Sequence, residues 1–267
     1  MKARPWQLRM FQKTLKKKLR LRVFERLIGT LPPQAQCLLV TCGDNNGAIN
    51  YHLRQLGGTW HWADLEETSL EEMAELLESE VRFARFDAIP FEDEMFDCVV
   101  AIDAHEHIDD PQVFTNELQR VAKKGARIFV TVPGGDSSKL VNRLKQKLGM
   151  TRERYGHVRD GFGADEVERL MRTAGIEPTL GTSFSKFFTE IIELTINFLY
   201  VRVLAHRNNG TERPSSIAPQ TREQLNSVEK TYRLYAAIYP VIWLFSQLDG
   251  LLFFTDGYVV VVAGRRT

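Results

Sequence analysis

Short apolar runs alternate along the chain with segments in which apolar residues recur every three or four positions. The runs are typical of buried parallel strands, and the periodic segments are typical of amphipathic helices. Strands are predicted at 37–42, 59–65, 81–86, 98–103, 126–133, 178–184 and 258–263. Helices are predicted between them at 47–56, 69–77, 111–122 and 164–174. This alternation predicts an α/β fold with a Rossmann-like, doubly wound, seven-stranded sheet.

Two segments outside this alternation are also helical in pattern. From Leu8 to Leu27, apolar residues recur at helical spacing with basic residues between them, which predicts a basic amphipathic helix. About 70 residues separate the last two predicted strands, and they include apolar segments at 187–204 and 234–245. The second apolar segment is shorter than the ~20 residues that cross a bilayer, so it predicts an interfacial helix or a lid.

The chain therefore divides into three predicted parts. Residues 1–30 form the N-terminal amphipathic helix, residues 34–185 together with 256–265 form the α/β domain, and residues 186–255 form an apolar helical insertion or lid before the last strand. The length of 267 residues suits one α/β domain with such additions.

Charge is spread unevenly along the chain. The formal net charge is only +1, yet residues 1–26 contain ten Lys or Arg residues and a single acid, Glu25. Such a basic arm predicts contact with an anionic surface, either phospholipid or nucleic acid. The three cysteines fall in or beside predicted strands, and the basic N-terminus lacks the apolar core of a secretory signal. We expect a cytoplasmic protein, peripheral at the inner face of the cell membrane.

Polar residues follow the carboxyl ends of the predicted strands. Gly43 lies in the turn after the first strand, Asp64 ends the second, and Asp103 ends the fourth. A strand, a glycine turn and a helix, followed about 20 residues later by an acid at the end of the next strand, is how βαβ units hold a nucleoside. The pattern predicts a cofactor that contains adenosine.

The run from Asp87 to Asp97 gives the chain a family resemblance. Its sequence, DAIPFEDEMFD, resembles class I S-adenosylmethionine-dependent methyltransferases of the type 11-like group, and the resemblance extends over residues 36–185 and the last strand. It implies S-adenosyl-L-methionine as cofactor, with Gly43 under the methionine part, Asp64 on the ribose, and Asp87 with the Ala88 N–H on the adenine. The full predicted cofactor-binding set is Gly43, Asp44, Asn45, Asp64, Leu65, Asp87, Ala88 and Asp103.

The glycine turn departs from the family pattern. Leu39 stands where the family has an acid, and Thr41 and Asn45 stand where it has glycines. Asparagine tolerates a positive φ, so Asn45 and Asn46 are expected to trace a similar path, and Asp44 is expected to replace the missing acid. A degenerate loop that binds no cofactor is the alternative.

Histidines supply the candidate bases. His105 and His107 follow the fourth strand, and His107 matches a Glu-His pair that is common in the family. A second cluster resembles the loop over the family's acceptor pocket, and it makes Tyr155, His157 and Arg159 candidate acceptor contacts, with His157 also a candidate catalytic residue. An alternative for His107 is a structural role that ties the loop to the sheet. No metal is implied by the sequence.

Three functions fit these features. The first is a methyltransferase of a hydrophobic or lipid-linked small molecule at a membrane surface, because apolar helices and a basic arm act together on anionic lipid. The second is an RNA methyltransferase, which the apolar stripe of the arm and the net acidic body disfavour. The third is a degenerate methyltransferase-like interaction module. The apolar helices could instead pack on the domain or form a homodimer interface.

Overall fold

A single mixed sheet carries the fold. The computed structural model describes residues 4–43, 45–207 and 219–267, with only the backbone for 202–207. The strands are β1 (Gln36–Thr41), β2 (Thr59–Asp64), β3 (Val81–Phe83), β4 (Phe96–Ile102), β5 (Ala122–Pro133), β6 (Ile176–Phe184) and β7 (Val259–Arg266). Their order in the sheet is β3-β2-β1-β4-β5-β7-β6, and β7 alone runs antiparallel to its neighbours. The prediction of a doubly wound, seven-stranded sheet is confirmed.

Helices cover both faces of the sheet. They are α1 (Trp6–Phe11), α2 (Lys16–Ile28), α3 (Ala48–Leu53), α4 (Leu70–Leu77), α5 (Pro111–Val121), α6 (Leu140–Lys147), α7 (Ala164–Thr173), α8 (Phe187–Arg207), α9 (Arg222–Ser227) and α10 (Glu229–Ser246). Short 3-10 helices form at Arg54–Leu56, His105–His107, Arg152–Tyr155 and Gln247–Leu252.

The sheet places a cleft at the carboxyl end of β1. Its neighbours β2 and β4 lie on either side, with Thr41 in register with Asp64 on one side and with Ile102 on the other. The chain winds away from β1 in both directions, and open α/β sheets bind ligands at such a switch point. The candidate site is therefore expected at this edge.

The basic N-terminal segment packs against one face of the sheet. It forms two helices, not the single predicted one, because the chain turns at Thr14, whose hydroxyl bonds back to the carbonyl of Phe11 (2.9 Å). Phe11, Phe24 and Ile28 are buried in the same cluster as residues of α3 and α4. The apolar stripe of the segment is thus part of the core, and its basic side chains face outward or into the cleft.

The insertion begins and ends at neighbouring positions of the sheet. Phe184, the last residue of β6, pairs with Val259, the first residue of β7. Between them, α8 and α10 are joined by Asp249, which accepts hydrogen bonds from the backbone N–H groups of Lys186 (3.0 Å) and Phe188 (2.7 Å) at the start of α8. None of the helices in the described ranges is long and apolar enough to cross a membrane.

Candidate active site

The glycine turn after β1 and the acid that ends β2 form one hydrogen-bonded unit. Asp64 is fully buried, and its Oδ1 accepts from the backbone N–H groups of Gly43 (2.9 Å) and Glu66 (2.8 Å). Thr41 donates its hydroxyl to the other carboxylate oxygen. Thr41 stands where the family has a glycine. Its hydroxyl gives Asp64 a hydrogen-bond donor that the sequence pattern did not predict.

Asparagine does not take over the backbone role of glycine in this turn. Gly43 and Gly47 have φ values of 68° and 83°, whereas Asn45 is not among the residues with positive φ. Asn45 instead braces the turn, because its amide nitrogen donates to Asn50 (2.8 Å) and its amide oxygen accepts from the Gly47 N–H (3.0 Å). The expectation of positive φ at Asn45 and Asn46 is wrong, and Asp44 lies outside the described residues.

Two further side chains cover the glycine turn. The Glu66 carboxylate lies so close to the Cα of Gly43 that a Cβ there would overlap it. Gln220, buried just before α9, donates its amide to the Gly43 carbonyl oxygen. The sequence pattern singled out neither residue, because both reach the turn only through the tertiary fold.

Asp87 lies on an exposed turn beyond β3, at the same edge of the sheet. Both its oxygens accept from the Arg85 guanidinium, at 2.9 and 2.8 Å. The hydrogen bonds from Arg85 hold the pKa of Asp87 below its usual value. Ala88 donates its N–H to the Arg85 carbonyl within this turn (3.1 Å), and Leu65 packs half-buried against the core. Asp87 and Ala88 are therefore accessible, unlike Asp64.

Asp103 connects the sheet to the basic N-terminal segment. It has a φ of 45° and accepts from the Thr131 hydroxyl (3.2 Å) and from the buried guanidinium of Arg20. Arg20 lies on α2, so one residue of the basic arm reaches into the edge of the sheet where the candidate site lies. Periodicity alone could not distinguish Arg20 from its exposed neighbours.

The two histidines after β4 point in different directions. His105 is buried and its Nε2 lies 3.1 Å from the Thr115 hydroxyl oxygen, with Phe114 against the ring. Burial lowers the pKa of His105 to about 3. His107 lines a cavity, but His105 does not. Of the two candidate bases, only His107 is in a position to meet a ligand.

The loop before α7 brings His157 and Tyr155 to the same cavity. The imidazole rings of His107 and His157 are 4.7 Å apart, centroid to centroid, and nearly perpendicular. Burial lowers the pKa of His157 to about 3 and raises that of Tyr155. Arg159 turns away instead, pairing with Glu166 (2.9 Å) over the ring of Phe162. The structure thus brings two of the three predicted acceptor residues to the cavity.

This cavity has a volume of about 920 Å³. Its walls come from α2, α6, α8 and α10 and from the segments after β4 and β5. Apolar side chains of the insertion form a large part of its lining, which also includes basic residues. The basic lining residues are Lys13, Lys16, Lys17, Arg20, Lys145 and Arg152.

An ion network centred on a buried glutamate lies among these basic lining residues. Glu190 on α8 pairs with Lys16 of α2 (2.9 Å) and Lys145 of α6 (3.2 Å), and the Ser185 hydroxyl donates to it (2.7 Å). Burial alone would raise the pKa of Glu190, but the two lysines hold it down at about 2. Three helices that are distant in sequence are thus fixed around the cavity by one carboxylate.

Comparison with known proteins relates this fold to a protein family. Residues 38–130, which include the glycine turn, Asp64, Asp87 and His107, match the family model described as a methyltransferase domain. The chain therefore contains a methyltransferase domain. No curated protein sequence matches the chain significantly.

Solved methyltransferase structures share the fold over most of the chain. A candidate sarcosine dimethylglycine methyltransferase from Galdieria sulphuraria is 16% identical with a TM-score of 0.56, covering 94% of this chain and 86% of that one. A geranyl diphosphate C-methyltransferase from Streptomyces coelicolor, in complex with Mg²⁺, geranyl diphosphate and S-adenosyl-L-homocysteine, is 11% identical with a TM-score of 0.54, covering 94% and 79%. At such identities the likeness establishes the fold alone.

The methyltransferase cofactor, S-adenosylmethionine, supplies a methyl group on a positively charged sulfur. The chain has groups that fit it in kind: the Asp64 carboxylate at the end of β2 for paired hydroxyls, which in this structure is buried and bonded to Thr41 and Gly43, and the accessible Asp87 turn beyond β3 for an amine and a ring nitrogen. Glu66 and Gln220, however, cover the glycine turn between them. The residues fit the cofactor, and these two side chains must withdraw before it can lie against Gly43.

Proposed function

We propose that this methyltransferase acts on a hydrophobic or lipid-linked acceptor that enters the cavity from the face of an anionic membrane. The observation that carries the proposal is an exposed apolar ridge on the helices that also wall the cavity. We define the apolar ridge as Leu234, Val241, Leu244, Leu251, Phe253 and Phe254. Phe253 and Phe254 expose 83% and 73% of their surface, far more than aromatic residues of a packed domain.

Basic residues lie next to the ridge. Tyr235 and Tyr239 of α10 donate their hydroxyls to backbone carbonyls of the turn between α1 and α2, and Lys13 stands 5.1 Å above the Tyr239 ring. Arg9 and Arg22 are exposed on these basic helices. Aromatic side chains that enter lipid, next to cations that meet anionic headgroups, are two signals that add in membrane attachment.

The cavity suits an acceptor with one charged end. Its apolar part is lined by Ile191, Leu194 and Ile238, and its basic part includes Lys13 and Arg20 together with Lys16 and Lys145, which are paired with Glu190. An acceptor with an apolar body and a phosphate or carboxylate would match both parts. The ridge and the cavity share α10, so a molecule could pass from lipid to cavity without crossing water.

Binding to lipid vesicles tests the proposal. We expect the protein to sediment with vesicles of phosphatidylglycerol and phosphatidylcholine and to bind phosphatidylcholine alone far less. Replacing Phe253 and Phe254 by serine should weaken binding by roughly tenfold or more, since each ring contributes about 2 kcal/mol when inserted. The matched control is Leu180→Ser, which removes an exposed apolar residue from β6 on another face.

Two results would overturn the proposal. One is equal binding of the serine double variant and the wild type. The other is a stable homodimer, seen by light scattering, that dissociates when Phe253 and Phe254 are replaced, because the ridge would then be a subunit interface. Transfer of labelled methyl groups from S-adenosylmethionine into solvent-extracted lipid is the companion measurement for the acceptor.

A further inference from the structure

Three potential metal ligands meet on one wall of the cavity. Glu106 and His107 come from the 3-10 helix after β4, and His157 comes from the loop before α7. One ligand atom from each lies within 4.8 Å of the other two, and within the described ranges this is the one such group of three. All three residues line the acceptor cavity.

The carboxylate of Glu106 has no hydrogen-bond donor from any other described residue. It is 1% exposed. The cations whose charge acts on it are Arg20 and Lys16, but they are paired with Asp103 and Glu190. Burying an unpaired carboxylate costs several kcal/mol, so the group must be protonated or meet a cation.

The His107 imidazole is oriented as metal ligands commonly are. His107 Nδ1 lies 3.1 Å from the carbonyl oxygen of Gly156, and since a carbonyl only accepts, Nδ1 carries the proton and Nε2 the lone pair. Metal-binding histidines are commonly fixed through their other nitrogen in this way.

The backbone holds the two segments together. Val158 donates its N–H to the Glu106 carbonyl oxygen at 2.9 Å, which joins the loop that carries His157 to the 3-10 helix that carries the other two ligands. Ligands from separate segments are thus positioned before an ion binds. Such preorganisation lowers the cost of binding.

We propose that Glu106, His107 and His157 bind a divalent first-row transition ion, such as Zn²⁺, whose remaining coordination positions face the acceptor cavity. Two imidazole nitrogens and one carboxylate oxygen form a donor set for Zn²⁺ or Fe²⁺, whereas Mg²⁺ prefers oxygen ligands. Three protein ligands leave open positions, as in catalytic sites.

A bound ion would indicate the chemical class of the acceptor. This part of the inference rests on the proposed function. An acceptor hydroxyl that binds the ion through its oxygen loses its proton to solvent more readily, because the positive charge stabilises the alkoxide. The acceptor class is then an alcohol or phenol, and the half-buried His107 and His157 serve as ligands and not as bases.

Titration with Co²⁺ alone tests the site. Untagged, chelator-stripped protein should take up one equivalent and develop visible absorption bands of Co²⁺ bound to nitrogen and oxygen, and Zn²⁺ should displace it. Glu106→Gln and His157→Gln should each weaken binding at least tenfold. His61→Gln is the matched control, because His61 lies on β2 and bonds to Gln36 (3.0 Å) away from the cluster.

A readout of folding separates metal binding from a purely structural role. Without metal, Glu106→Gln should unfold at the same or a higher temperature than the wild type, since it removes an uncompensated carboxyl group. With Zn²⁺, only the wild type and His61→Gln should gain thermal stability. Absence of uptake by the wild type, or equal Co²⁺ affinity in Glu106→Gln and His157→Gln, would overturn the site. Vesicle binding is measured in a separate experiment, so the Co²⁺ titration can be interpreted even if the membrane proposal fails.

Discussion

At the scale of single residues, Glu66 and Gln220 decide how readily the cofactor reaches the glycine turn. Both are polar, flexible side chains that a bound ligand can displace, and Gln220 holds the Gly43 carbonyl from a segment distant in sequence. Apparent affinity falls by the fraction of molecules whose site is uncovered. The covered turn is thus expected to cost the enzyme cofactor affinity.

Replacing Gln220 by alanine should uncover the turn. We expect Gln220→Ala to bind S-adenosylmethionine severalfold more tightly in calorimetry, because one hydrogen bond, worth about 1 kcal/mol, no longer competes. Asp64→Ala should lose binding, since it removes the carboxylate that the turn is built around. Gln224→Ala is the control, a neighbouring glutamine that bonds the backbone of Gln220 and not the turn. Weaker binding in Gln220→Ala would instead make Gln220 a ligand-binding residue.

At the scale of elements, most of the sheet was predictable and the cavity was not. Apolar runs such as 37–42 and 98–103 identify buried strands because nearly every side chain in them is covered. The helix α6 was missed because Val141 is its sole fully buried residue, which leaves too weak a pattern. The cavity depends on Lys16 meeting Glu190, and periodicity says nothing of contacts between helices so far apart in sequence.

The ion network around Glu190 makes the free energy of unfolding depend on pH. Because lysines depress the pKa of Glu190 to about 2 in the folded protein, against 4.5 in the absence of such contacts, protonation favours the unfolded state. The stability it contributes is complete above about pH 4.5 and is lost as the pH falls towards 2. Acid titration of the free energy of unfolding should show this loss in the wild type and much less of it in Glu190→Gln.

At neutral pH, Glu190→Gln should cost roughly 2–3 kcal/mol, because it leaves two half-buried lysine charges without their carboxylate partner. The matched control is Glu168→Gln, which breaks an exposed pair with Arg172 on α7 and should cost less than about 0.5 kcal/mol. Chemical denaturation measures both. A Glu190→Gln variant as stable as its control would mean that the three helices are held by packing alone.

At the scale of the whole molecule, charge asymmetry and the apolar ridge lie on connected elements. Of the basic residues predicted from the sequence to contact an anionic surface, Arg9 and Arg22 are exposed, whereas Lys16 and Arg20 pair with acids and the apolar stripe is buried in the core. In the proposed membrane contact, the apolar part therefore comes from α10 and the residues after it. The sequence showed where the charges lie along the chain, and it could not tell which of several apolar helices stays exposed.

Charge reversal at Arg22 tests this arrangement. Arg22→Glu should weaken binding to anionic vesicles severalfold, given about 1 kcal/mol for each basic residue near the surface, and the difference should shrink in high salt. Lys124→Glu has the same net charge but lies on an exposed part of β5. Equal losses in the two variants would show that only net charge matters and that no particular face meets the membrane.

The pairing of Phe184 with Val259 also bears on how such an enzyme evolves. Since both ends of the insertion are fixed as neighbours in the sheet, its length hardly affects the strands, and doubling a loop costs only about 0.6 kcal/mol. The insertion supplies a large part of the cavity lining, so changes in its length or sequence reshape the cavity while β1 to β4 stay unchanged. Its Gln220 and Glu190 nevertheless contact the glycine turn and helices α2 and α6, so an exchanged segment must keep these two contacts or replace them.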